Sequence, residues 1–439
     1  MAAAAGALLK VVHLAHDALP YSTGGVEVYV ARLARAQRAA GAAVELVAAR
    51  DAGRRNSYEV CRESLDGLQL TTIGHRTGND RLQALRVAAD LSRLDRNPRI
   101  DRTIAGLVRE IAPDVVHAHH LVHLSTSLLG ALAETGAPIV VTLHDYWWLC
   151  VAGQLLNGTG THEPEQCGEP CLRYLMFNRH KAFGRFGPLF AAATRMRSRS
   201  ISRWVQERQR RLVAAIGLAR LVIAPSRSLA ERYVRRGVDP QRLAHSDYGT
   251  DLGTIPRRFR ERHGRPLRFG FLGRLVPEKG AHLLLEAFRG LQGAATLELF
   301  ASPAPHAGYG RGLARLAERC GARLAGGFPP EQVGTVLDAI DVLVVPSIWW
   351  ENSPLVIHEA FAAGVPVITA NAGGMAELVT HERDGLLFEL GDAAALAGAL
   401  RRVLEPGVLE RLSRGTTPPR SLDDDVAWHL AAYERLVAS

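Results

Sequence analysis

Apolar segments with strand character alternate with helical segments in two long runs along this chain. The first run opens with a strand at 8–14, a turn at 22–25 that contains two glycines, a helix at 26–40 and a strand at 44–48. This order of strand, glycine-rich turn, helix and strand is typical of a parallel sheet with right-handed crossovers. The alternation therefore predicts an α/β fold in which helices cover parallel sheets.

The second run begins after a stretch rich in proline, glycine and arginine at 253–266. It repeats the alternation, with strands predicted at 268–272, 296–300, 341–345 and 365–369. Ligands of such sheets bind beyond the carboxyl ends of the strands, so we expect two doubly wound domains that face a cleft. The predicted boundaries are 1–250 with an insertion at 151–215, then 251–420, and a terminal helix at 421–439 that packs back on the first domain.

The chain carries more basic than acidic side chains, with 53 Lys and Arg against 44 Asp and Glu and a formal charge of +9. Much of the excess lies at 173–211, where arginines are interleaved with aromatic and apolar residues. We expect this segment to form a basic amphipathic surface that contacts an anionic membrane, although a solvated arginine-rich helix pair explains it equally well. Since no nucleic-acid motif accompanies the charge, we expect no nucleic-acid partner.

The sequence also predicts where the protein works. No apolar run reaches the roughly 18 residues that a membrane-spanning helix needs. The alanine-rich start lacks the basic region and apolar core of a signal peptide. We therefore expect a cytoplasmic protein that is at most peripheral on the inner face of the membrane.

The segment PSIWWENSPLVIHE at 346–359 follows a predicted strand and opens a helix. Ser353 is the expected N-cap, and the proline after it suits the first helical position. The backbone N–H groups of Leu355, Val356 and Ile357 would then point into the cleft. Free N–H groups at a helix start bind anions, so a diphosphate is the expected occupant.

Two glutamates flank that helix start, Glu351 before it and Glu359 within the helix. A carboxylate beside phosphates is costly to bury unless it accepts hydrogen bonds, for example from sugar or ribose hydroxyls. We therefore expect both glutamates to contact a ligand. The alternative is that both are surface residues around an ordinary strand-to-helix turn.

The segment GRLVPEKG at 273–280 follows another predicted strand and places Arg274 and Lys279 at its carboxyl end. Two fixed cations can stabilise the charge that develops on a departing pyrophosphate without a metal ion. The Asp-x-Asp pair formed by Asp423 and Asp425 is better explained by the start of the terminal helix. We therefore expect no catalytic metal and no other cofactor.

These segments resemble a family 4 glycosyltransferase of the GT-B architecture, which has two Rossmann-like domains, over nearly the whole chain. The resemblance rests on the order and spacing of several short motifs, each weak alone. They are GGVE at 24–27, HAH at 117–119, HDYWWLC at 144–150, APS at 224–226, GRLVPEKG, and the two glutamates spaced E-x7-E.

The resemblance implies a role for each matching residue. Arg274 and Lys279 would hold the donor diphosphate, Glu351 the hydroxyls of the transferred sugar, and Glu359 the ribose. Glycines at two loops would let the backbone approach the donor, namely Gly24 and Gly25 near the N-terminus and Gly373 and Gly374 in NAGGMAELV. On these grounds 1–250 is the acceptor side and 251–420 the nucleotide-sugar side.

The resemblance also places His119 near the reacting carbon, where a neutral imidazole can orient the acceptor hydroxyl. A structural role is the alternative for any one of the 17 histidines. The segment that follows the next strand supplies further acceptor-side candidates, which are His144, Asp145, Tyr146 and Trp147. The bulky aromatic residues there, with the insertion at 155–212, are expected to add aromatic and basic surface for an acceptor.

Three cysteines, Cys150, Cys167 and Cys171, raise the question of a structural zinc ion. Members of the resembled family often carry a further cysteine where this chain has Tyr174. Because three thiols lack a clear fourth ligand, the sequence favours free cysteines that pack a loop.

Together these features predict a retaining, metal-independent hexosyltransferase that moves a sugar from a nucleotide diphosphate to an acceptor hydroxyl. The acceptor is expected to be a sugar, a small molecule or a lipid-linked or cell-surface glycan precursor. One alternative is an enzyme of the same architecture that hydrolyses, epimerises or phosphorolyses a sugar ligand. Another is a non-catalytic module that binds sugar nucleotides or nucleic acid.

Overall fold

The computed structural model describes residues 8–51, 58–75, 96–158, 160–179, 192, 194–262, 264–304 and 307–438. The chain divides into two compact units. The N-terminal unit comprises Met1–Pro225, Leu229–Ser246 and Asp423–Ser439, and the C-terminal unit comprises Ser226–Ser228 and Asp247–Leu422. The main division thus lies four residues before the boundary suggested by the sequence.

The described part of the N-terminal unit contains an eight-stranded sheet of order β3-β4-β2-β1-β5-β6-β7-β8. β3 and β4 pair antiparallel, and the other pairs are parallel. The strands are β1 Lys10–Ala15, β2 Ala43–Asp51, β3 Val60–Leu65, β4 Leu68–His75, β5 Val115–Ala118, β6 Ile139–Thr142, β7 Leu221–Ala224 and β8 Leu243–His245.

Helices flank this sheet along the described chain. They are α1 Gly25–Ala39, α2 Pro98–Ile111, α3 Leu128–Ala133, α4 Glu169–Arg173, α5 Ser198–Ile216 and α6 Arg227–Arg235. Short 3-10 and π-helical segments lie at Pro164–Gln166 and Tyr174–Arg179. The segment at 173–211 is described only in part, so its aromatic residues at 183, 186 and 190 lie outside the described residues.

The described C-terminal unit contains a six-stranded parallel sheet of order β11-β10-β9-β12-β13-β14. Its strands are β9 Leu267–Leu272, β10 Ala295–Phe300, β11 Arg323–Leu324, β12 Val342–Val345, β13 Val367–Ala370 and β14 Gly385–Phe388. Its helices are α7 Ala281–Ala287, α8 Ala307–Cys320, α9 Val333–Asp338, α10 Leu355–Ala362, α11 Gly373–Leu378, α12 Ala393–Leu404 and α13 Val408–Gly415. Three 3-10 turns lie at Leu252–Thr254, Pro277–Lys279 and Pro330–Gln332.

The chain ends in α14, Leu422–Ala438, close to the predicted terminal helix. Its Tyr433 is fully buried and packs in a cluster with apolar side chains of four parallel strands, which include Val11 and Ile223. Asp425 is also fully buried and accepts a hydrogen bond of 2.9 Å from the hydroxyl of Tyr29. The sequence interpretation of this aspartate as a helix-start charge was therefore incomplete, because its carboxylate anchors the helix within the N-terminal unit.

The prediction of two parallel-sheet α/β domains is confirmed. The β3–β4 hairpin and α2 were not predicted, although α2 has ordinary start signals. The side chain of Asn97 caps it by accepting from the backbone N–H of Ile100, and a proline occupies the next position. Among the described residues, no helix is both long and apolar enough to cross a membrane.

Candidate functional site

Three neighbouring strands of the C-terminal unit bring the sequence-predicted donor residues to one edge of its sheet. β9, β12 and β13 are adjacent and parallel, so the loops that follow them leave the same edge. The loop after β9 carries Arg274 and Lys279, the loop after β12 carries Glu351, and α11 after β13 begins at Gly373. The topology therefore places side by side three motifs that are far apart in sequence.

Lys279 and Glu351 form the centre of this cluster. The ammonium Nζ of Lys279 lies 2.6 Å from Oε1 of Glu351, and the hydroxyl of Ser347 donates to the same oxygen at 2.6 Å. The Lys279 side chain is 31% exposed, whereas the Glu351 side chain is 7% exposed. An ammonium has three N–H donors, so the exposed cation keeps donors for an anionic ligand.

Backbone packing fixes the distance between these two loops. The backbone N–H of Ile348 donates to the carbonyl of Glu278 at 2.9 Å. Gly280 has a positive φ of 68°, and a Cβ there would lie 1.9 Å from the carbonyl oxygen of Pro346. Only glycine fits such an approach. The glycine that ends GRLVPEKG thus lets the loop of Lys279 lie against the loop of Glu351.

Gly373 and Gly374 lie against the backbone of the Glu351 loop. A Cβ on Gly373 would lie 2.7 Å from the carbonyl oxygen of Glu351, and one on Gly374 would lie 1.3 Å from that of Asn352. The N–H of Gly374 donates to the Glu351 carbonyl at 2.8 Å. Close backbone packing therefore explains why glycine occupies both positions. Their contact with a donor stays a prediction.

The helix start after Glu351 differs from the prediction by one residue. α10 begins at Leu355 with Pro354 as its N-cap, so the N-cap assignment of Ser353 was wrong. The Ser353 hydroxyl instead donates to Asp247 at 2.6 Å. The N–H of Ile357 is engaged by the Pro354 carbonyl at 3.0 Å.

The two N–H groups that precede it, those of Leu355 and Val356, have no acceptor among the described residues. Such groups attract an anion at a helix start. Glu359 is the fifth residue of the same helix and is buried. Arg274 is exposed and forms no ion pair among the described residues. This edge of the sheet thus carries two cations, two helix N–H donors and two carboxylates.

Sequence reasoning missed several polar residues that support this cluster. Asp247 lies 3.4 Å from Nε2 of His358, and although burial alone would raise the pKa of Asp247, His358 and Ser353 hold it below its ordinary value. Asn352 accepts from the hydroxyl of Ser226 at 2.7 Å. Among these residues, only Ser226 lies in a motif that the sequence analysis had singled out, the APS motif.

The N-terminal unit has a polar cluster of its own, a chain of buried histidines that lie within β1 and just after β5 and β6. Nε2 of His13 lies 2.7 Å from Oε1 of Gln37, and Nδ1 of His13 lies 2.9 Å from Nε2 of His119. Nδ1 of His119 lies 3.1 Å from Nε2 of His144. His119 is therefore a link in a hydrogen-bonded chain, with both ring nitrogens engaged by the protein.

The Gln37 oxygen fixes the protons along this chain. Because this oxygen can only accept, His13 donates from Nε2 and its Nδ1 is an acceptor. His119 therefore donates from Nε2 to His13, and its Nδ1 accepts from Nε2 of His144. Burial lowers the pKa of His13 to about 4 and of His144 to about 3. Burial also lowers the pKa of His119, so all three imidazoles are neutral near pH 7.

His117 lies beside this chain and has separate partners. Its Nδ1 lies 2.5 Å from the hydroxyl of Tyr433 and its Nε2 lies 2.7 Å from the hydroxyl of Thr142. Nitrogens of His13, His117 and His119 are close enough to surround a metal ion. Because each of these nitrogens already has a hydrogen-bond partner, the arrangement favours a structural network over a metal site.

The acceptor-side candidates are more buried than the sequence suggested. Tyr146 is fully buried and Trp147 nearly so, and the neighbouring Trp148 is fully buried as well. The expectation that this stretch adds aromatic surface was therefore wrong, because these rings fill the core of the N-terminal unit. Asp145 lies 3.3 Å from Nε2 of His120; burial alone would raise the pKa of Asp145, but His120 lowers it below the ordinary value.

Gly24 and Gly25 open α1 next to a buried carboxylate. Gly24 is the N-cap and Gly25 the first helical residue. A Cβ on Gly24 would lie 2.4 Å from Oε2 of Glu27, whose other oxygen accepts from Ser22 at 2.7 Å. The GGVE motif is thus a compact turn in which glycine leaves room for the glutamate.

Models of two glycosyltransferase families match the chain, "Glycosyltransferase Family 4" over residues 23–253 and "Glycosyl transferases group 1" over residues 266–406. The chain belongs to glycosyltransferase family 4. The family 4 match alone spans more than half of its length. The resemblance read from the motifs is confirmed.

Individual relatives of this family 4 chain match over shorter segments. The putative colanic acid biosynthesis glycosyltransferase WcaL of Salmonella typhimurium is 32% identical over 39% of this chain and 44% of the relative. The UDP-Gal:alpha-D-GlcNAc-diphosphoundecaprenol alpha-1,3-galactosyltransferase of Escherichia coli is 43% identical over 19% of this chain and 21% of the relative. The chain thus covers less than half the length of either relative.

A solved structure is similar over almost the whole family 4 chain. HepE of Anabaena, in complex with UDP and glucose, matches with a TM-score of 0.63 and 17% identity over 97% of this chain and all of HepE. An identity this low shows the fold alone. The predicted GT-B architecture is confirmed.

Proposed function

We propose that this chain is a retaining glycosyltransferase that moves a sugar from a nucleotide diphosphate to an acceptor hydroxyl. The observation that carries the proposal is the Lys279–Glu351 pair at the carboxyl ends of β9 and β12. A cation and a carboxylate held 2.6 Å apart suit a ligand that has both phosphate oxygens and hydroxyl groups. HepE, which shares the fold, is described in complex with UDP and glucose.

Each residue of the cluster has a role in this proposal. Lys279 and Arg274 bind the diphosphate and stabilise the charge that it gains as the sugar leaves, which replaces a catalytic metal. The N–H groups of Leu355 and Val356 bind the same anion. Glu351 accepts hydrogen bonds from the hydroxyls of the transferred sugar.

Glu359 completes the donor site in this proposal. Its buried carboxylate accepts from ribose hydroxyls. In the N-terminal unit, the buried chain through His119 positions the imidazole of His144 on the acceptor side.

A panel of nucleotide diphosphate sugars tests the donor. One of them should raise the melting temperature by several degrees at saturating concentration, because a ligand that binds the folded state stabilises it by mass action. The matched controls are the free sugar and the nucleoside monophosphate, which lack the diphosphate. A protein that no member of the panel stabilises, or that consumes its donor without forming a glycosidic product, would contradict transfer.

Proton NMR of the product tests retention and metal independence together. An α-linked donor should give an α-linked product. The rate should change by less than about twofold when Mg²⁺ or Mn²⁺ is added, since cationic side chains serve the leaving group. A β linkage, or a strict requirement for added metal, would contradict these two parts of the proposal.

We further propose that the acceptor is a lipid-linked glycan precursor at the cytoplasmic membrane surface. The galactosyltransferase relative is named for a diphosphoundecaprenol acceptor. α5 and the residues before it present exposed arginines, namely Arg195, Arg199, Arg203 and Arg210. Each basic residue near an anionic leaflet contributes about 1 kcal/mol to binding.

Sedimentation with vesicles tests this membrane contact. Binding to anionic vesicles at low salt should fall at least about fivefold when these four arginines become glutamine. The control changes four exposed arginines of the C-terminal unit, which are Arg311, Arg315, Arg319 and Arg401, and so removes the same charge. Equal loss in both variants would assign the effect to net charge and contradict a specific surface.

A further inference from the structure

Four side chains with metal-binding atoms converge in the N-terminal unit away from the histidine chain. Their ligand atoms all lie within 4.8 Å of one another. All four residues are buried, and none forms a disulfide. They are Cys150, His162, Cys167 and Cys171.

The chain delivers these residues from two short segments. Cys150 ends a tight turn in which its backbone N–H donates to the carbonyl of Tyr146 at 2.7 Å. Cys167 follows the 3-10 turn Pro164–Gln166, and Cys171 lies on α4. The last two are separated by three residues, a spacing common in zinc sites.

The distances suit one tetrahedral ion. With zinc–sulfur bonds of about 2.3 Å and zinc–nitrogen bonds of about 2.0 Å, neighbouring ligand atoms lie roughly 3.5–3.8 Å apart. Sγ of Cys171 lies 3.2 Å from Nε2 of His162, and the largest separation in the set is within 4.8 Å. Shifts of a few tenths of an ångström up to about 1 Å in these side chains bring all four atoms to tetrahedral distances.

His162 is oriented as a zinc ligand. Its Nδ1 lies 3.0 Å from the carbonyl oxygen of Glu163, an acceptor that requires the proton on Nδ1. Nε2 is therefore the ring nitrogen that faces the sulfur atoms, and it can bind an ion once its own proton is released. A backbone carbonyl on the second ring nitrogen is the usual partner that fixes a zinc-binding histidine.

We propose that Cys150, His162, Cys167 and Cys171 bind one structural Zn²⁺ ion. Three thiolates and a neutral imidazole are soft and borderline ligands that select zinc, and four protein ligands leave no open position for a substrate. The thiols release their protons when the ion binds. The sequence argument favoured free cysteines because it lacked a fourth ligand, which His162 supplies.

The ion would hold the HDYWWLC segment in place. Cys150 is the last residue of that segment, so zinc ties it to His162 and α4. α5 supports the same region, since the Gln209 amide donates to the carbonyls of Leu149 at 2.8 Å and Pro164 at 3.2 Å. The site therefore stabilises the loop that follows β6 and does not take part in sugar transfer.

Metal analysis of the purified wild-type chain tests the proposal without any variant. Protein expressed with added zinc and purified without chelator should contain about one zinc per chain by inductively coupled plasma mass spectrometry. Replacement by Co²⁺ should give the visible absorption of tetrahedral thiolate-bound cobalt. A zinc content below about one tenth per chain, or a disulfide between two of these cysteines in the native protein, would overturn the site.

Variants then identify the ligands. Cys171→Ser and His162→Gln should each lower the zinc content or affinity at least about tenfold. The matched control is Cys320→Ser, which changes a buried cysteine of the C-terminal unit and should leave the zinc content unchanged. Unchanged zinc in His162→Gln would overturn the assignment of the fourth ligand. Because metal content is measured, failure of this site and failure of sugar transfer are distinguished.

Discussion

Each unit has a polar cluster near the carboxyl ends of its parallel strands, and the two clusters differ in charge and exposure. In the C-terminal unit, Lys279 and Glu351 form an ion pair whose cation is about one third exposed. In the N-terminal unit, His13, His119 and His144 form a neutral chain that burial keeps unprotonated. An exposed cation can bind a ligand at little cost, whereas a buried neutral chain gives up its hydrogen bonds only if the structure opens. The first cluster is arranged to bind, and the second to hold the strands and His144 in place.

Replacement of His119 by alanine should have the largest effect among the variants that test this difference. The change removes the hydrogen-bond partner of His13 and of His144 and leaves a cavity among buried rings. We expect the free energy of unfolding to fall by about 2 kcal/mol, a change of roughly thirtyfold in the folding equilibrium. Urea denaturation followed by circular dichroism measures it.

The control for this variant is His245→Ala, which changes an exposed histidine of the same unit. It should alter the free energy of unfolding by less than about 0.5 kcal/mol. A stable His119→Ala protein that has lost only turnover would reverse the comparison and make His119 a catalytic residue, as the sequence suggested.

Lys279→Ala and Glu351→Ala test the other half of the comparison. Each should lower the transfer rate by about tenfold or more, because each removes a contact to the donor. Circular dichroism should stay unchanged, and the free energy of unfolding of Lys279→Ala should fall by about 1 kcal/mol, because the largely buried Glu351 loses its cation but keeps the hydrogen bond from Ser347.

A second ion pair in the same unit provides the matched control. Arg323 and Glu298 lie 2.5 Å apart on β11 and β10, and the Arg323 side chain is largely exposed. Arg323→Ala should leave transfer within about twofold of wild type. Near-normal turnover in Lys279→Ala and Glu351→Ala would show that the donor binds elsewhere.

The C-terminal cluster was largely predictable from sequence, for a topological reason. Lys279 and Glu351 each follow an apolar strand. Because parallel strands end at the same edge of a sheet, the two motifs were expected to lie near each other. The position of the helix start was not predictable to one residue. Ser353 has the composition of an N-cap, but its hydroxyl is engaged by Asp247, 106 residues earlier in the chain.

The N-terminal cluster was less predictable because its partners come from distant strands. The motif at 117–119 indicated a histidine at a strand end but not that His13 and His144 would engage both nitrogens of His119. His162 was missed for a different reason: no local pattern shows that the chain returns to Cys150 after the eleven residues between them. Local patterns specify elements, whereas burial and side-chain pairing depend on which elements become neighbours.

The smallest expected effect is a pH dependence that belongs to the neutral histidine chain. Burial lowers the pKa of His13 from 6.5 to about 4, although its hydrogen bond to Gln37 opposes the shift and the nearby His429 adds to it. At pH values between about 4 and 6.5, His13 binds a proton in the unfolded chain but not in the folded chain. Lowering the pH through this window therefore favours unfolding, and above pH 6.5 the group contributes no pH dependence.

For His13 alone, the loss of stability between pH 7 and pH 5.5 is about 1 kcal/mol, or roughly fivefold in the folding equilibrium. Asp17 in the same unit acts in the opposite direction, because burial raises the pKa of its carboxyl to about 6 and the folded chain takes up its proton first. The measurement is therefore a difference: the free energy of unfolding of wild type and of His13→Asn at both pH values. Wild type should lose about 1 kcal/mol more than the variant, and equal losses would mean that His13 is protonated as readily in the folded chain as in the unfolded one.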